Sequence, residues 1–122
     1  MVEKVLLPHQ SRGKNISGGT ERLPDYNVTD IGPLRCVQDA VTRVMHEGGG
    51  VFVPEERIPV EAALRGVAID AAWQCRMDDI TGSLEKGKYA DLAILEDDPT
   101  AVDPMKIEAI KVSKTWLAGT QR

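Results

Sequence analysis

The chain has 122 residues and a net charge of −4, and 28% of its residues are charged and 42% hydrophobic. These values are typical of one soluble globular domain, and no apolar run approaches the roughly 20 residues that cross a membrane. The acidic balance and the scattered Lys and Arg residues argue against a phosphate-binding surface, so we expect neither a nucleic-acid nor a membrane partner.

The N-terminal residues predict an irregular arm over positions 1–22. This stretch combines one short apolar run, Val5–Leu7, with Gly- and Ser-rich segments that offer little apolar area to bury. Val5–Leu7 is a candidate edge strand. The run is too short for a signal peptide, and Cys36 and Cys75 lack CxxC spacing, so we expect reduced thiols and a cytoplasmic protein.

Two amphipathic helices are predicted in the middle of the chain. The first begins at Pro33 and ends before Gly48–Gly50, with apolar residues at helical spacing. The second covers about 60–76, and its apolar face consists largely of small residues, which allows a neighbouring element to approach closely. Trp73, within this helix, is expected to anchor packing rather than to stack on a ligand.

A glycine-containing turn, Gly82–Gly87, introduces a β-part. The apolar run Ala90–Leu95 predicts a buried strand, and Ile107–Leu117 predicts another, followed by a turn at Ala118–Gly119. Few residues remain after that turn, so the final hairpin is expected to be short. We therefore predict an α+β fold with an aliphatic and alanine core, in which two amphipathic helices pack on a small, mostly antiparallel β-sheet.

Several segments resemble, in the same order, the C-terminal part of the YtcJ-like amidohydrolases. They are the PL…AVTR helix from Pro33, the ERIPVEAALR segment from Glu56, the GSLEKGKYADLAIL segment from Gly82 and the PTAVDP linker from Pro99. The resemblance implies that residues 23–81 correspond to the end of the amidohydrolase barrel and residues 82–122 to part of its β-sandwich domain. A whole barrel takes about 250 residues, so this chain would supply only the last part.

The same resemblance implies a metal-dependent hydrolase that acts on non-peptide carbon–nitrogen bonds. The family holds zinc through several His residues, a carboxylated Lys or acid, and an Asp after the eighth barrel strand. Asp25, within the turn Leu23–Val28, matches this Asp, which implies the roles of metal ligand and proton shuttle. The only His residues, His9 and His46, fall at no ligand position of the family, so we expect no zinc and no activity from this chain alone.

Three interpretations follow from this resemblance. The chain is the C-terminal part of an amidohydrolase and is inactive alone, or it is one piece of a split enzyme that supplies Asp25 to a barrel from another chain. An exposed apolar face on the helical part is expected in the second case. In the third interpretation the chain is a non-catalytic module that associates with copies of itself through an open sheet edge. The expected partner is accordingly a missing barrel or a second copy.

Overall fold

The computed structural model describes residues 4–5, 32–45 and 50–122. Within these residues, three α-helices and a four-stranded sheet are joined by connections that contain two 3-10 helices. The α-helices are α1 (Pro33–Thr42), α2 (Val60–Val67) and α3 (Ile69–Gln74), and the 3-10 helices are Pro54–Glu56 and Pro104–Ala109. The strands are β1 (Lys4–Val5), β2 (Leu92–Leu95), β3 (Val112–Leu117) and β4 (Thr120–Gln121). None of the helices in these ranges has the length and apolar character needed to cross a membrane.

The sheet has the strand order β1-β2-β3-β4, and each neighbouring pair is antiparallel. β2 pairs with β3 from Leu92 opposite Trp116 to Leu95 opposite Val112, with a bulge near the end of the ladder. β1 occupies the other edge of β2, so an edge strand is present at Val5 as expected; the rest of the predicted strand, Leu6 and Leu7, and nearly all of the predicted arm over 1–22 lie outside the described residues. The predicted α+β fold, with helices packed on a small antiparallel sheet, is confirmed.

The hydrophobic core lies between the helices and the β-part. It contains side chains from α1, α2, β2 and the segment 104–110, namely Leu34, Val37, Ala63, Leu95, Ile107 and Ile110. The prediction of an aliphatic core that includes alanine is confirmed. Because the core draws on residues from both sides of position 81, neither part buries its apolar face without the other.

The first helix begins as predicted but ends earlier. Pro33 occupies the first turn of α1, where the missing N–H of proline costs nothing. At the other end Arg43 adopts a left-handed conformation with φ 56°, and the Thr42 hydroxyl accepts a hydrogen bond from the Val44 N–H at 3.3 Å. Val44 therefore leaves the predicted helical stripe and pairs with Val51 in a β-bridge.

The predicted second helix is divided into α2 and α3. Ala68 separates them with non-helical backbone angles, φ −117° and ψ −99°. The prediction of one continuous helix is wrong because tertiary packing overrides the apolar periodicity. The change of direction brings Ala72 against Gly82, where an added Cβ would lie 2.6 Å from the Ala72 Cβ. Arg65 and Asp70 form an ion pair across the break at 2.9 Å.

The predicted strand at Ile107–Leu117 is shorter in the structure, where β3 begins at Val112. The preceding residues form the 3-10 helix Pro104–Ala109, and the Asp103 carboxylate caps its start by accepting the Met105 N–H at 2.8 Å. A helical turn here places the Ile107 side chain, 0% exposed, in the core. Burial of this residue therefore comes from helix packing and not from strand alternation.

Candidate functional site

The predicted metal ligand, Asp25, lies outside the described residues, and so do His9 and His46. Among residues 4–5, 32–45 and 50–122, no group of three or more His, Cys, Asp or Glu side chains is placed to hold a metal ion. Cys36 and Cys75 are exposed free thiols. The described residues therefore do not fit a zinc site by themselves, and the role of Asp25 stays a prediction.

A buried carboxylate, Asp91, is the central polar group of the β-part. Its side chain is 6% exposed. The Thr81 hydroxyl donates a hydrogen bond to Asp91 Oδ2 at 2.9 Å, and the Ala118 N–H donates to Oδ1 at 2.7 Å. We call this arrangement the Asp91 junction. Because both carboxylate oxygens accept hydrogen bonds from the chain, the geometry gives Asp91 a structural role and not that of a metal ligand.

Two glycine turns bring the partners of the Asp91 junction together. Gly82 follows Thr81 and has φ +89°, and Gly119 follows Ala118 and has φ +78°. Glycine enters this left-handed region without the steric penalty that a Cβ imposes. The Gly119 N–H also donates to the Ala90 carbonyl at 3.2 Å. The two glycines of these turns thus fix a junction between the end of the helical part and the β3–β4 hairpin.

The turn between Gly82 and Gly87 carries a relay of side-chain hydrogen bonds on its surface. The Lys88 ammonium donates to the Ser83 hydroxyl at 2.6 Å, and this hydroxyl donates to the Glu85 carboxylate at 2.6 Å. The hydrogen bond from Ser83, followed by the charge of Lys88, lowers the pKa of Glu85. These side chains hold the turn in shape, so its polar residues have a structural explanation.

A small cavity of ≈ 180 Å³ lies beside Asp91 against β2 and β3. Its walls include Ala93, Thr115, Leu117 and Arg122. Sites for drug-sized ligands usually measure about 300–1,000 Å³. The cavity is therefore too small for a substrate of ordinary size, and we assign no catalytic role to it.

Large apolar residues are exposed at several positions from α3 to the residues before β2. These residues and their exposed fractions are Trp73 69%, Met77 36%, Ile80 39%, Leu84 52% and Tyr89 57%. We call these five side chains the 73–89 patch. The expectation that Trp73 anchors packing is wrong, because its side chain lies outside the core. Isolated exposed apolar residues are common, and several of them in one short stretch make this stretch a candidate for contact with another surface.

Comparison with known proteins identifies the family to which this chain belongs. The model of the amidohydrolase family matches residues 11–122. The chain belongs to the amidohydrolase family. This finding confirms the resemblance to YtcJ-like amidohydrolases that the sequence motifs indicated.

Three relatives show how much of such a protein this chain represents. Protein LONG AFTER FAR-RED 3 of Arabidopsis thaliana is 34% identical over 97 residues, which cover 80% of this chain and 16% of the relative. YtcJ of Bacillus subtilis (strain 168), whose name describes an amidohydrolase, is 30% identical over 111 residues, 89% of this chain and 20% of the relative. N-substituted formamide deformylase of Arthrobacter pascens is 28% identical over 98 residues, 80% of this chain and 18% of the relative. The matched stretch thus spans between 16% and 20% of these relatives. No solved structure matches the chain.

Proposed function

We propose that this chain is the C-terminal part of a metal-dependent amidohydrolase, that the whole enzyme hydrolyses non-peptide carbon–nitrogen bonds, and that the chain alone is inactive. The observation that carries the proposal is the family match over residues 11–122, within relatives of which the chain spans at most 20%. The name of the Arthrobacter relative describes a deformylase of N-substituted formamides, a reaction at such a bond. The presence of only His9 and His46 in the sequence supports inactivity of the chain alone.

Asp25 is the residue that we propose this chain contributes to the active site, as a metal ligand and a proton shuttle. A zinc ion, which the family resemblance implies, would lower the pKa of a bound water to near neutrality and so supply the nucleophile. The remaining ligands would come from the part of the enzyme that lies outside this chain. A missing barrel is therefore the partner that this proposal requires.

The described residues support a fixed position for α1, the helix that follows Asp25 in the sequence. Arg35 Nη1 donates to both carboxylate oxygens of Glu108 at 2.8 Å. The Glu108 N–H in turn donates to Gln38 Oε1 at 2.9 Å. These contacts join α1 to the 3-10 helix Pro104–Ala109.

The first test measures the native mass and the zinc content of the purified chain, by light scattering and elemental analysis of the same chromatographic peak. We expect less than about 0.1 zinc per chain, because a zinc site takes three or four protein ligands. We also expect no release of formate from an N-substituted formamide. Stoichiometric zinc together with turnover would contradict the inactivity of the chain alone.

A second test places the chain in a complete enzyme. Residues 11–122 replace the matched stretch of the Arthrobacter deformylase, and zinc content and formate release are measured. We expect activity in this chimera and a loss of about 100-fold or more on Asp25→Ala, with Asp97→Ala, an exposed carboxylate just after β2, as the matched control. Equal activity of the Asp25→Ala chimera would show that this residue does not carry the chemistry.

A second candidate function is non-catalytic self-association through the sheet. β4 pairs with β3 only at Trp116 and Leu117, which leaves residues 112–114 without a strand on that side among the described residues. Open strand edges favour pairing with another chain. The light-scattering measurement decides this candidate as well, because a monomer at high concentration contradicts it.

A further inference from the structure

The small cavity beside Asp91 is lined mainly by apolar residues. Leu92, Ala93, Trp116 and Leu117 form much of its wall, and its volume is ≈ 180 Å³. We call it the β2–β3 cavity. An apolar cavity of about 150 Å³ is large enough to bind benzene. The β2–β3 cavity is therefore too small for a drug-sized ligand but large enough for one ring or a short branched chain.

The wall of the β2–β3 cavity also includes a cationic residue, Arg122. Among residues 4–5, 32–45 and 50–122, the ion pairs join other residues, and no Asp or Glu side chain pairs with Arg122. The main chain holds this residue beside β3, because the Arg122 N–H donates to the Thr115 carbonyl at 2.9 Å. A guanidinium group is always charged, and its fork of donors matches a carboxylate. The cavity thus offers one positive charge that the described part of the chain does not neutralise.

Asp91 is the other charged residue of the cavity wall, and both of its carboxylate oxygens already accept hydrogen bonds. Oδ2 accepts from the Thr81 hydroxyl at 2.9 Å, and Oδ1 accepts from the Ala118 N–H at 2.7 Å. A cationic ligand would need these oxygens and would be repelled by Arg122. A ligand with two negative charges would be repelled by Asp91. The charges of the wall therefore favour a ligand with a single negative charge.

We propose that the β2–β3 cavity binds a small monocarboxylate, whose apolar group enters the cavity while its carboxylate pairs with Arg122. Trp116 offers an aromatic surface to the apolar group. Ligand sites in proteins commonly combine apolar walls with a few polar groups that fix the orientation of the ligand. The site goes beyond the proposed function, because it lies in the β-part and uses neither Asp25 nor a metal.

The test titrates the ¹⁵N-labelled chain with benzoate and follows its NMR spectrum. Of the two tryptophans in the sequence, Trp116 lines the cavity and Trp73 does not, so the Trp73 indole N–H is an internal reference. We expect saturable shifts of the Trp116 indole N–H and of the Ala93 and Leu117 amides, with a Kd of about 1–5 mM. The Trp73 signal should not follow them. The absence of a saturable shift up to about 50 mM benzoate would overturn the proposal.

Two variants test whether the ligand pairs with Arg122. Arg122→Gln should weaken benzoate binding by at least about fivefold, because it removes charge-assisted hydrogen bonds to the carboxylate. Lys114→Gln is the matched control, since it removes the same charge from an exposed residue of β3 that does not line the cavity. This control should change the Kd by less than about twofold. Equal weakening in the two variants would show that only net charge matters and would overturn the site.

Analogues of the ligand test charge and size on the wild-type chain. Benzamide has the shape of benzoate without its charge, benzylamine carries the opposite charge, and 2-naphthoate keeps the charge but has a second ring. We expect each of them to bind at least about fivefold more weakly than benzoate. Equal binding of benzamide or benzylamine would overturn the role of Arg122, and equal binding of 2-naphthoate would overturn the cavity as the site. None of these readouts needs metal or hydrolysis, so they are independent of the proposed function.

Discussion

Strand β2 and the helices α2 and α3 bury their apolar residues to different extents. In β2, Ala93 and Leu95 are 1% and 0% exposed, and the strand has a neighbour on each edge. Within α2 and α3, the buried residues are the alanines Ala63 and Ala72, while Trp73 is 69% exposed. Strand β2 is thus buried, whereas α3 and the turn after it expose large apolar side chains.

This difference separates the residues that stabilise the fold from the exposed residues that are available for binding. Buried strands and the shared core supply the free energy of folding, because they remove apolar area from water. The 73–89 patch contributes little to that free energy in the isolated chain and is available for binding. Substitutions in the two kinds of site should therefore separate loss of stability from loss of partner binding.

The largest loss of stability is expected from a substitution at Gly82, where α3 meets the turn after it. Gly82→Ala should lower the free energy of unfolding by about 2–5 kcal/mol, because φ is +89° and the new Cβ would lie 2.6 Å from the Ala72 Cβ. Gly66→Ala in α2 is the control, since nothing lies within 4 Å of its added Cβ. That change should stabilise the chain by up to about 1 kcal/mol. Urea unfolding of both variants measures the difference, and equal effects would contradict the close packing at Gly82.

The next effect concerns the Asp91 junction. Asp91→Ala leaves the Thr81 hydroxyl and the Ala118 N–H without their acceptor, so we expect a loss of about 1–3 kcal/mol in the free energy of unfolding. Asp97→Ala removes an exposed carboxylate just after β2 and should change stability by less than about 0.5 kcal/mol. A similar value for the two variants in urea unfolding would mean that the junction does not stabilise the fold.

A smaller effect is expected from the ion pair that joins α1 to the β-part. The Arg35 and Glu108 side chains are 18% and 46% exposed, so solvent weakens their attraction and we expect a coupling energy of about 0.5–1 kcal/mol. A double-mutant cycle with Arg35→Gln and Glu108→Gln measures it at low and high salt. The exposed pair Arg65–Asp70 serves as the control and should give a smaller value. A coupling that does not fall at high salt would contradict an electrostatic origin.

The smallest expected effect is a pH dependence of stability that arises from Glu85, in the turn that also contains Ser83 and Lys88. The hydrogen bond from Ser83 and the charge of Lys88 lower the pKa of Glu85 below its ordinary value of 4.5. The stabilisation is therefore complete above about pH 4.5 and is lost as the pH falls through the lowered pKa. The Tm difference between the wild type and Glu85→Gln should be measurable at pH 7 and vanish in strong acid, with Glu55→Gln as the control. A difference that persists in acid would rule out the carboxylate as its source.

The sequence was sufficient to predict the fold class, the edge strand near Val5, the buried strand after Tyr89 and the aliphatic core. These features depend on local alternation and on turn residues, which a single sequence displays directly. The family was also predictable, because its motifs lie in order along the chain. The activity stays a proposal, because the chain spans only 16–20% of these relatives.

The predictions from the sequence were wrong where contacts between distant segments determine the local structure. The apolar periodicity through Ala68 predicted one helix, whereas the structure has a break there and places α3 against Gly82. Trp73 was expected in a core because bulky aromatics usually bury their area. Periodicity indicates that a face is apolar, but it does not tell whether the covering surface belongs to the same chain. The role of Asp91 was missed because its partner Ala118 is 27 residues away.

The Asp91 junction also has a consequence for the order of folding events. Its two hydrogen bonds close loops of different length, since Thr81 is 10 residues from Asp91 and Ala118 is 27 residues away. Short loops close at a lower entropic cost than long ones. The bond to Thr81 can therefore form while β3 is still unpaired, and the bond to Ala118 must wait until β3 has returned beside β2. The same carboxylate thus closes one short loop and one longer loop, and the longer closure carries the larger entropic cost.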